Sequence, residues 1–362
     1  MIISRTPYRI SFFGDGTDYP AWYRLHGGSV LGVTVNKYCY LTCRHLPPFF
    51  EHPIRVVYSK IELCHSVDEI THPAVREILR YMKINRGVEI HHDGDLPARS
   101  GVGSSSAFTV GLLHALHALE GRLLTKHQLA MEGIHIEQDA LQEMVGSQDQ
   151  VLAAYGGLNQ VSFLPSGEIT VRPITISQDR LWELNDHLML FYTGLTRTSS
   201  DVARTCIGDL EPHKRQMRIL KDLVDEGIGV LNSSHDLSGF GELLNESWQV
   251  KQSLGTRVSN TAVEQIYQRA TSVGAIGGKL LGTGGGFLLL FVRPECQNRV
   301  RESLGNLLHV PFRFEFSGSQ IIFIDPEEDF SVAEQDRAAW PIEAFRENAD
   351  DAQAQTAGRE TA

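Results

Sequence analysis

Two glycines and a run of serines in Leu96-Pro97-Ala98-Arg99-Ser100-Gly101-Val102-Gly103-Ser104-Ser105-Ser106-Ala107 are the residues best suited to chemistry in this chain. Gly101 and Gly103 lack a Cβ and tolerate positive φ, so backbone N–H groups on either side can converge on an anion. Apolar residues at Phe108, Val110, Leu112, Leu113, Leu116 and Leu119 predict a helix over 104–120, directly after the loop. The positive end of that helix would point at the same place. Serine hydroxyls at a helix start can cap it, meet phosphate oxygens or enter a Mg²⁺ shell. A flexible turn with an N-cap would use the same residue types, so the loop taken alone leaves both readings open. No Gly-Lys-Ser/Thr is present, which excludes a Walker A loop, and Ser106 stands where a dinucleotide fingerprint needs its last glycine.

Other candidates lie to either side. Arg9 falls on an early strand and is followed by Gly14-Asp15-Gly16-Thr17-Asp18-Tyr19-Pro20. A glycine-rich acidic loop can accept hydrogen bonds from sugar hydroxyls, and it can equally be a plain turn closed by its own aspartates. Glu137 and Asp149 are 12 positions apart, which on one unbroken helix would point them well apart at ~100° per residue. A break at Gly146 could turn both carboxylates into one cleft, while Glu132, Asp139 and Glu143 read as a solvated helix face. The cluster Gly282-Thr283-Gly284-Gly285-Gly286 would weaken a simple hairpin. Another backbone or a ligand must approach closely there. His91 and His92 are adjacent on a strand and point to opposite faces, so they do not chelate one ion. No HExxH or Gly-x-Ser-x-Gly motif is present, which leaves hydrolase chemistry without a centre.

The elements that must hold these residues can be read coarsely. Strands are expected over 1–13, within Ser29–Arg44, at 55–59, 88–92, 158–163 and 169–176, and at 187–192. Helices are expected over 104–120 and 126–144, then at about 199–228, 235–255, 260–273 and 298–308, with strands about Gly318. A length of 362 residues predicts two domains, placed at 1–169 and 170–330, with a disordered tail over 345–362. Lys plus Arg is 33 and Asp plus Glu is 44, a net charge of −11, which argues against nucleic acid as a partner. Five cysteines without a CxxC pair predict reduced thiols and a cytoplasmic setting. No stretch is long and apolar enough for a membrane span, and the N-terminus reads as a strand.

In combination, RTPYRISFFGDGTDYP (5–20), LPARSGVGSSSA (96–107) and GGKLLGTGGG (277–286) resemble the three ordered motifs of the GHMP kinase superfamily. Further segments, GGSVLGVTVNKYCY (27–40), GSQDQVLAAYGGLN (146–159), FYTGLTRTSSDV (191–202) and ESWQVKQSLGTRVSN (246–260), resemble its bacterial heptose 7-phosphate kinase group. Asp15-Gly16 stands where galactokinases carry Glu-His, which argues against galactose. The resemblance implies an α+β chain with a ribosomal protein S5-like N-terminal domain and a ferredoxin-like C-terminal domain. ATP, Mg²⁺ and a small sugar or sugar phosphate would meet between them; a homodimer is compatible with it.

It also implies roles. Asp149 would take or orient the proton of the attacking hydroxyl, with Arg9 beside it. Pro97, Ser100, Gly101, Val102, Gly103, Ser104, Ser105 and Ser106 would line the nucleotide. Ser105 and Glu137 would hold Mg²⁺, with Ser104 second to Ser105. Gly16, Thr17, Asp18, Gly284 and Gly285 would meet the sugar. Lys37, Arg197 and Lys251 are the candidates for a substrate phosphate. A kinase for another sugar, such as fucose, and a non-catalytic sugar sensor are the rival readings. A Rossmann dehydrogenase fails for want of GxGxxG after the first strand.

Overall fold

The structure is a computed structural model and describes residues 1–84, 86–194, 211–254, 261–282, 286–325, 330 and 332. Its strands are β1 (Ile2–Phe13), β2 (Gly28–His45), β3 (Ile54–Val57), β4 (Ile61–Cys64), β5 (Val88–Gly94), β6 (Leu158–Phe163), β7 (Ile169–Pro173), β8 (Leu188–Tyr192), β9 (Ala275–Leu280), β10 (Phe287–Val292), β11 (Leu308–His309), β12 (Phe314–Glu315) and β13 (Gln320–Ile324). Its helices are α1 (Pro20–His26), α2 (Pro73–Met82), α3 (Ser104–Leu119), α4 (Lys126–His135), α5 (Gln148–Tyr155), α6 (Gln178–Asp186), α7 (Lys214–Asn232), α8 (Ser238–Ser253), α9 (Thr261–Ser272) and α10 (Gln297–Ser303). No helix among the described residues is long and apolar enough to cross a membrane.

β1 and β2 form the spine of the larger sheet, with Arg9 opposite Thr34 and Phe13 opposite Leu31. The sheet runs β13-β1-β2-β5-β3-β4, with β6 and β12 also paired to β2 and β7 paired to β6. α3 lies on this sheet with both faces covered: Phe108, Val110, Leu112, Leu113 and Leu116 are all buried. It approaches closely because Gly111 has no side chain; a Cβ there would sit 2.8 Å from Thr6 Oγ1. The smaller sheet is antiparallel, β11-β8-β10-β9, and α8 packs on β9.

The two units touch through aromatic rings. Phe12 and Phe13 at the end of β1 meet Phe240 of α8 at 5.2 and 5.0 Å between centroids. Gly227 lets α7 press onto Phe13, whose ring would lie 2.5 Å from a Cβ at that position.

Two sequence expectations need correction. The segment 314–324 does not belong to the second unit, because β12 pairs with β2 and β13 with β1. β7 also stays with the first sheet, paired to β6. Periodicity identifies a strand but not the sheet it joins. The helix expected over 126–144 ends as an α-helix at His135 and continues as a π turn over Ile136–Ala140. α1, α2 and α6 go beyond the sequence reading. The tail expected over 345–362 and the start of the helix expected at 199 lie outside the described residues.

Candidate active site

Arg9 points from β1 toward the start of α5 and grips Asp149 with two parallel bonds. Nε donates to Oδ1 at 2.6 Å and Nη2 to Oδ2 at 2.7 Å. This fork-on-carboxylate geometry fixes the carboxylate plane as well as its position. Burial alone would lower the Arg9 pKa, but the charge and hydrogen bonds of Asp149, with the charges of Asp15 and Asp18, together outweigh it and hold the guanidinium above its ordinary value. The Asp149 side chain keeps 24% exposure against 8% for Arg9, so the carboxylate is reachable from the cleft.

The same arginine carries the phosphate loop. Nη1 donates to Gly101 O at 2.6 Å, and the Arg9 amide donates to Val102 O at 3.0 Å. Gly103 caps α3 at φ +73; a Cβ there would crowd Arg9 Cγ at 3.0 Å and lie 3.5 Å from Asp149 Oδ2. The start of α3 and the aspartate are therefore side by side. Ser100 and Ser104 serve the loop itself: Ser100 Oγ donates to Pro97 O at 2.6 Å, and Ser104 Oγ accepts from the Arg99 amide at 3.1 Å. Pro97 is exposed at the loop's outer edge, and the Val102 side chain is buried.

Glu137 sits in the π turn, the type of helix irregularity that re-aims a side chain at a site. Ser106 Oγ donates to its Oε2 at 2.9 Å, and Gln150 Nε2 donates to the same oxygen. Ser106, and not the exposed Ser105, is thus the serine brought to Glu137, because position 106 is the one that faces inward on α3. Glu137 Oε1 is buried with no partner. Burial pushes this carboxyl up to about 8, against the bonds from Ser106 and Gln150.

The first loop divides its residues differently from the expectation. Asp18 is buried, with Oδ1 accepting from the Gly16 amide at 3.1 Å and Oδ2 from the Gln148 amide at 3.2 Å. Burial first, and then the neighbouring Asp149 charge, push it up to about 6. Gly146 must be glycine here, since a Cβ would fall 1.8 Å from Asp18 Oδ2. Thr17 has no hydroxyl to offer a sugar. Its Oγ1 lies 2.8 and 2.9 Å from the carbonyls of Gly14 and Ser29 and accepts from the Ser29 amide at 3.1 Å, closing the loop. Gly16, at φ +96, faces the Met217 thioether of α7.

The two described glycines of the late cluster, Gly282 and Gly286, are both met by backbone. A Cβ at Gly282 would lie 2.7 Å from Gly101 Cα, and one at Gly286 would lie 2.4 Å from Ser100 O. Gly284, Gly285 and Arg197 lie outside the described residues. Lys37 sits on β2 at the register shift near Pro7, away from the end of the strand that carries the first loop. Lys251 is buried: its Nζ donates to Asp15 Oδ2 and to Gly282 O, each at 2.9 Å. That corrects its reading as an available phosphate ligand. Asp15, Lys279 and Gln148 are the functional neighbours that sequence reasoning passed over, while Ser106, expected at the nucleotide, also bonds Glu137. Only the placement of Asp15 and Lys279 inside the first and third motifs could have pointed to them.

A phosphoryl group bound at the Gly101–Ser106 loop would face Asp149, which defines a phosphotransferase with an alcohol group as acceptor. The profile described as GHMP kinases N terminal domain matches residues 69–157, and that described as GHMP kinases C terminal matches residues 220–309. The chain carries both domains and belongs to the GHMP kinase family. It is similar to a D-glycero-alpha-D-manno-heptose 7-phosphate kinase from Campylobacter jejuni, 28% identical over 316 residues that cover 84% of this chain and 93% of the relative. A mevalonate kinase from Methanothermobacter thermautotrophicus is 27% identical over 76% of this chain and 96% of its own length. Among solved structures, a D-glycero-D-manno-heptose 1-phosphate kinase from Bacteroides thetaiotaomicron superposes with a TM-score of 0.74 at 24% identity, covering 90% of this chain and all (100%) of the other.

Proposed function

We propose that this chain phosphorylates the anomeric hydroxyl of D-glycero-D-manno-heptose 7-phosphate with ATP, giving the 1,7-bisphosphate for nucleotide-activated heptose synthesis. The observation that carries the reading is the Arg9–Asp149 pair set against the phosphate loop. Similarity to the Campylobacter heptose 7-phosphate kinase over most of both chains supports the acceptor.

The anomeric hydroxyl is the most acidic of a sugar, so a carboxylate suffices to receive its proton. Its oxygen attacks the γ-phosphorus, the bond to the ADP oxygen breaks, and the hydroxyl proton passes to Asp149. Arg9 holds Asp149 in place for that transfer through its two bonds. Amides at the start of α3, which have no partner within the helix, face the phosphates. Asp18 accepts from sugar hydroxyls.

The residues present fit Mg²⁺. Glu137 offers a buried oxygen with no partner, and the Ser106 hydroxyl beside it adds a second hard oxygen donor. Bound there with Ser106, the ion would offset phosphate charge. A substrate phosphate needs a cation other than Lys251, and Arg197 remains the candidate.

An acceptor panel with ATP tests the assignment. Heptose 7-phosphate is expected to give the highest kcat/KM, and preference for free fucose, galactose or heptose would overturn the choice of acceptor.

A further inference from the structure

Asp15 reaches across the domain boundary. Lys251 of α8 and Lys279 of β9 both donate to its Oδ2, at 2.9 and 2.6 Å. Lys279 also donates to Phe12 O at 2.9 Å, and Lys251 to Gly282 O at 2.9 Å. The Lys279 side chain has no exposure, and those of Lys251 and Asp15 have 8% and 11%. On the other side of Asp15, the Ser11 hydroxyl donates to its Oδ1 and lies 2.7 Å from Gln148 Oε1. Gln148 directly precedes Asp149.

These contacts close on themselves. From Asp149 the path runs through Gln148 and Ser11 to Asp15, and through Lys251 to Gly282. Gly282 packs on Gly101, whose carbonyl accepts from Arg9, and Arg9 returns to Asp149. Every motif segment of the site is a link. In a closed circuit, no segment can shift without breaking a contact elsewhere.

A buried cluster of two ammoniums and one carboxylate is a costly way to join two domains. Apolar side chains of similar volume often hold a fold as well or better. What the ions add is direction: the Asp15 carboxylate has one orientation that satisfies both lysines. We propose that Lys251 and Lys279 are positioning residues, which act through Asp15 and Gly282 to hold the acceptor loop, the phosphate loop and the third motif in reacting register. A phosphate at Lys251 would have to displace Asp15 from a site nearly closed to solvent.

This does not depend on the heptose assignment, because any acceptor the panel shows to be phosphorylated can serve as the probe. Lys251→Met and Lys279→Met would be compared with wild type for ATP affinity, acceptor KM, kcat and urea unfolding. A misplacement of this kind costs roughly 10- to 100-fold in kcat. That loss is expected with acceptor KM and ATP affinity within about threefold of wild type. A raised acceptor KM at unchanged kcat would mean that Lys251 touches substrate, and would overturn the proposal. Unchanged kcat with lowered stability would overturn it as well, leaving the lysines purely structural. Should Lys251→Met not fold, the pair D15N/K251M removes one charge of each sign. Reduced kcat in that folded pair supports the proposal, and wild-type kcat refutes it.

Discussion

Asp15 and Asp18 are three positions apart in one buried loop, yet their carboxyls are driven in opposite directions. Burial alone would raise Asp15, but Lys251 and Lys279 outweigh it and hold the group well below the usual carboxylate range. For Asp18, burial, then the like charges of Asp149 and Asp15, raise it to about 6 against its backbone amide bonds. One end of the loop commits its charge to the second domain. The other accepts from backbone amides and, under the proposed function, turns its remaining lone pairs to the sugar. Identity of side chain therefore says little about role here; the partner across the cleft decides it.

The largest test of that division is Asp149→Asn. Turnover should fall by about 10³-fold, measured as ADP release, with ATP still bound. The Asp18 carboxyl should also titrate lower in that variant by carbon NMR, because a like charge is gone. Turnover that survives would remove Asp149 from the reaction. Asp15→Ala comes next. It strands two buried ammoniums and should cost about 3–5 kcal/mol in urea unfolding; wild-type stability would mean the lysines find other partners.

Asp18→Asn should raise the acceptor KM about tenfold and leave the ATP KM unchanged, in keeping with loss of a hydrogen bond to a charged group. An equal rise in both would place Asp18 in the scaffold and not in the acceptor site. The smallest effect is in pH. The ionised form of Asp18 is the acceptor, so kcat/KM should have halved by about pH 6 in wild type. That limb should be missing in Asp18→Asn. Linkage gives a matching sign in stability. Asp18 titrates near 6 when folded and at 3.8 ordinarily, so its stabilising contribution is full below about 3.8 and is lost as pH rises through 6. Thermal unfolding of wild type relative to Asp18→Asn should lose ground over that window.

Much of this was legible in the residues. The loop at 96–107 announced itself through glycine φ freedom and a helix start, and α3 follows at Ser104. Asp149 and Glu137 were brought toward one site by the break near Gly146, aided by a π turn that no apolar period signals. Choosing Ser106 over Ser105 depends on helix rotation, which three consecutive serines conceal. The burial of Lys251 was invisible because its partner lies 236 positions away in sequence. The return of β12 and β13 to the first sheet was hidden for the same reason: strand composition is local and strand pairing is not.

That return has a mechanical consequence. The chain leaves the larger sheet after Pro173 and re-enters it at Phe314, so the smaller unit hangs from two connections. A single tether permits swivelling in any direction; a pair restricts the unit to something closer to a door on its hinges. One proteolytic cut between the units would leave the halves joined. Any separation of the two units is therefore restrained at both connections instead of one.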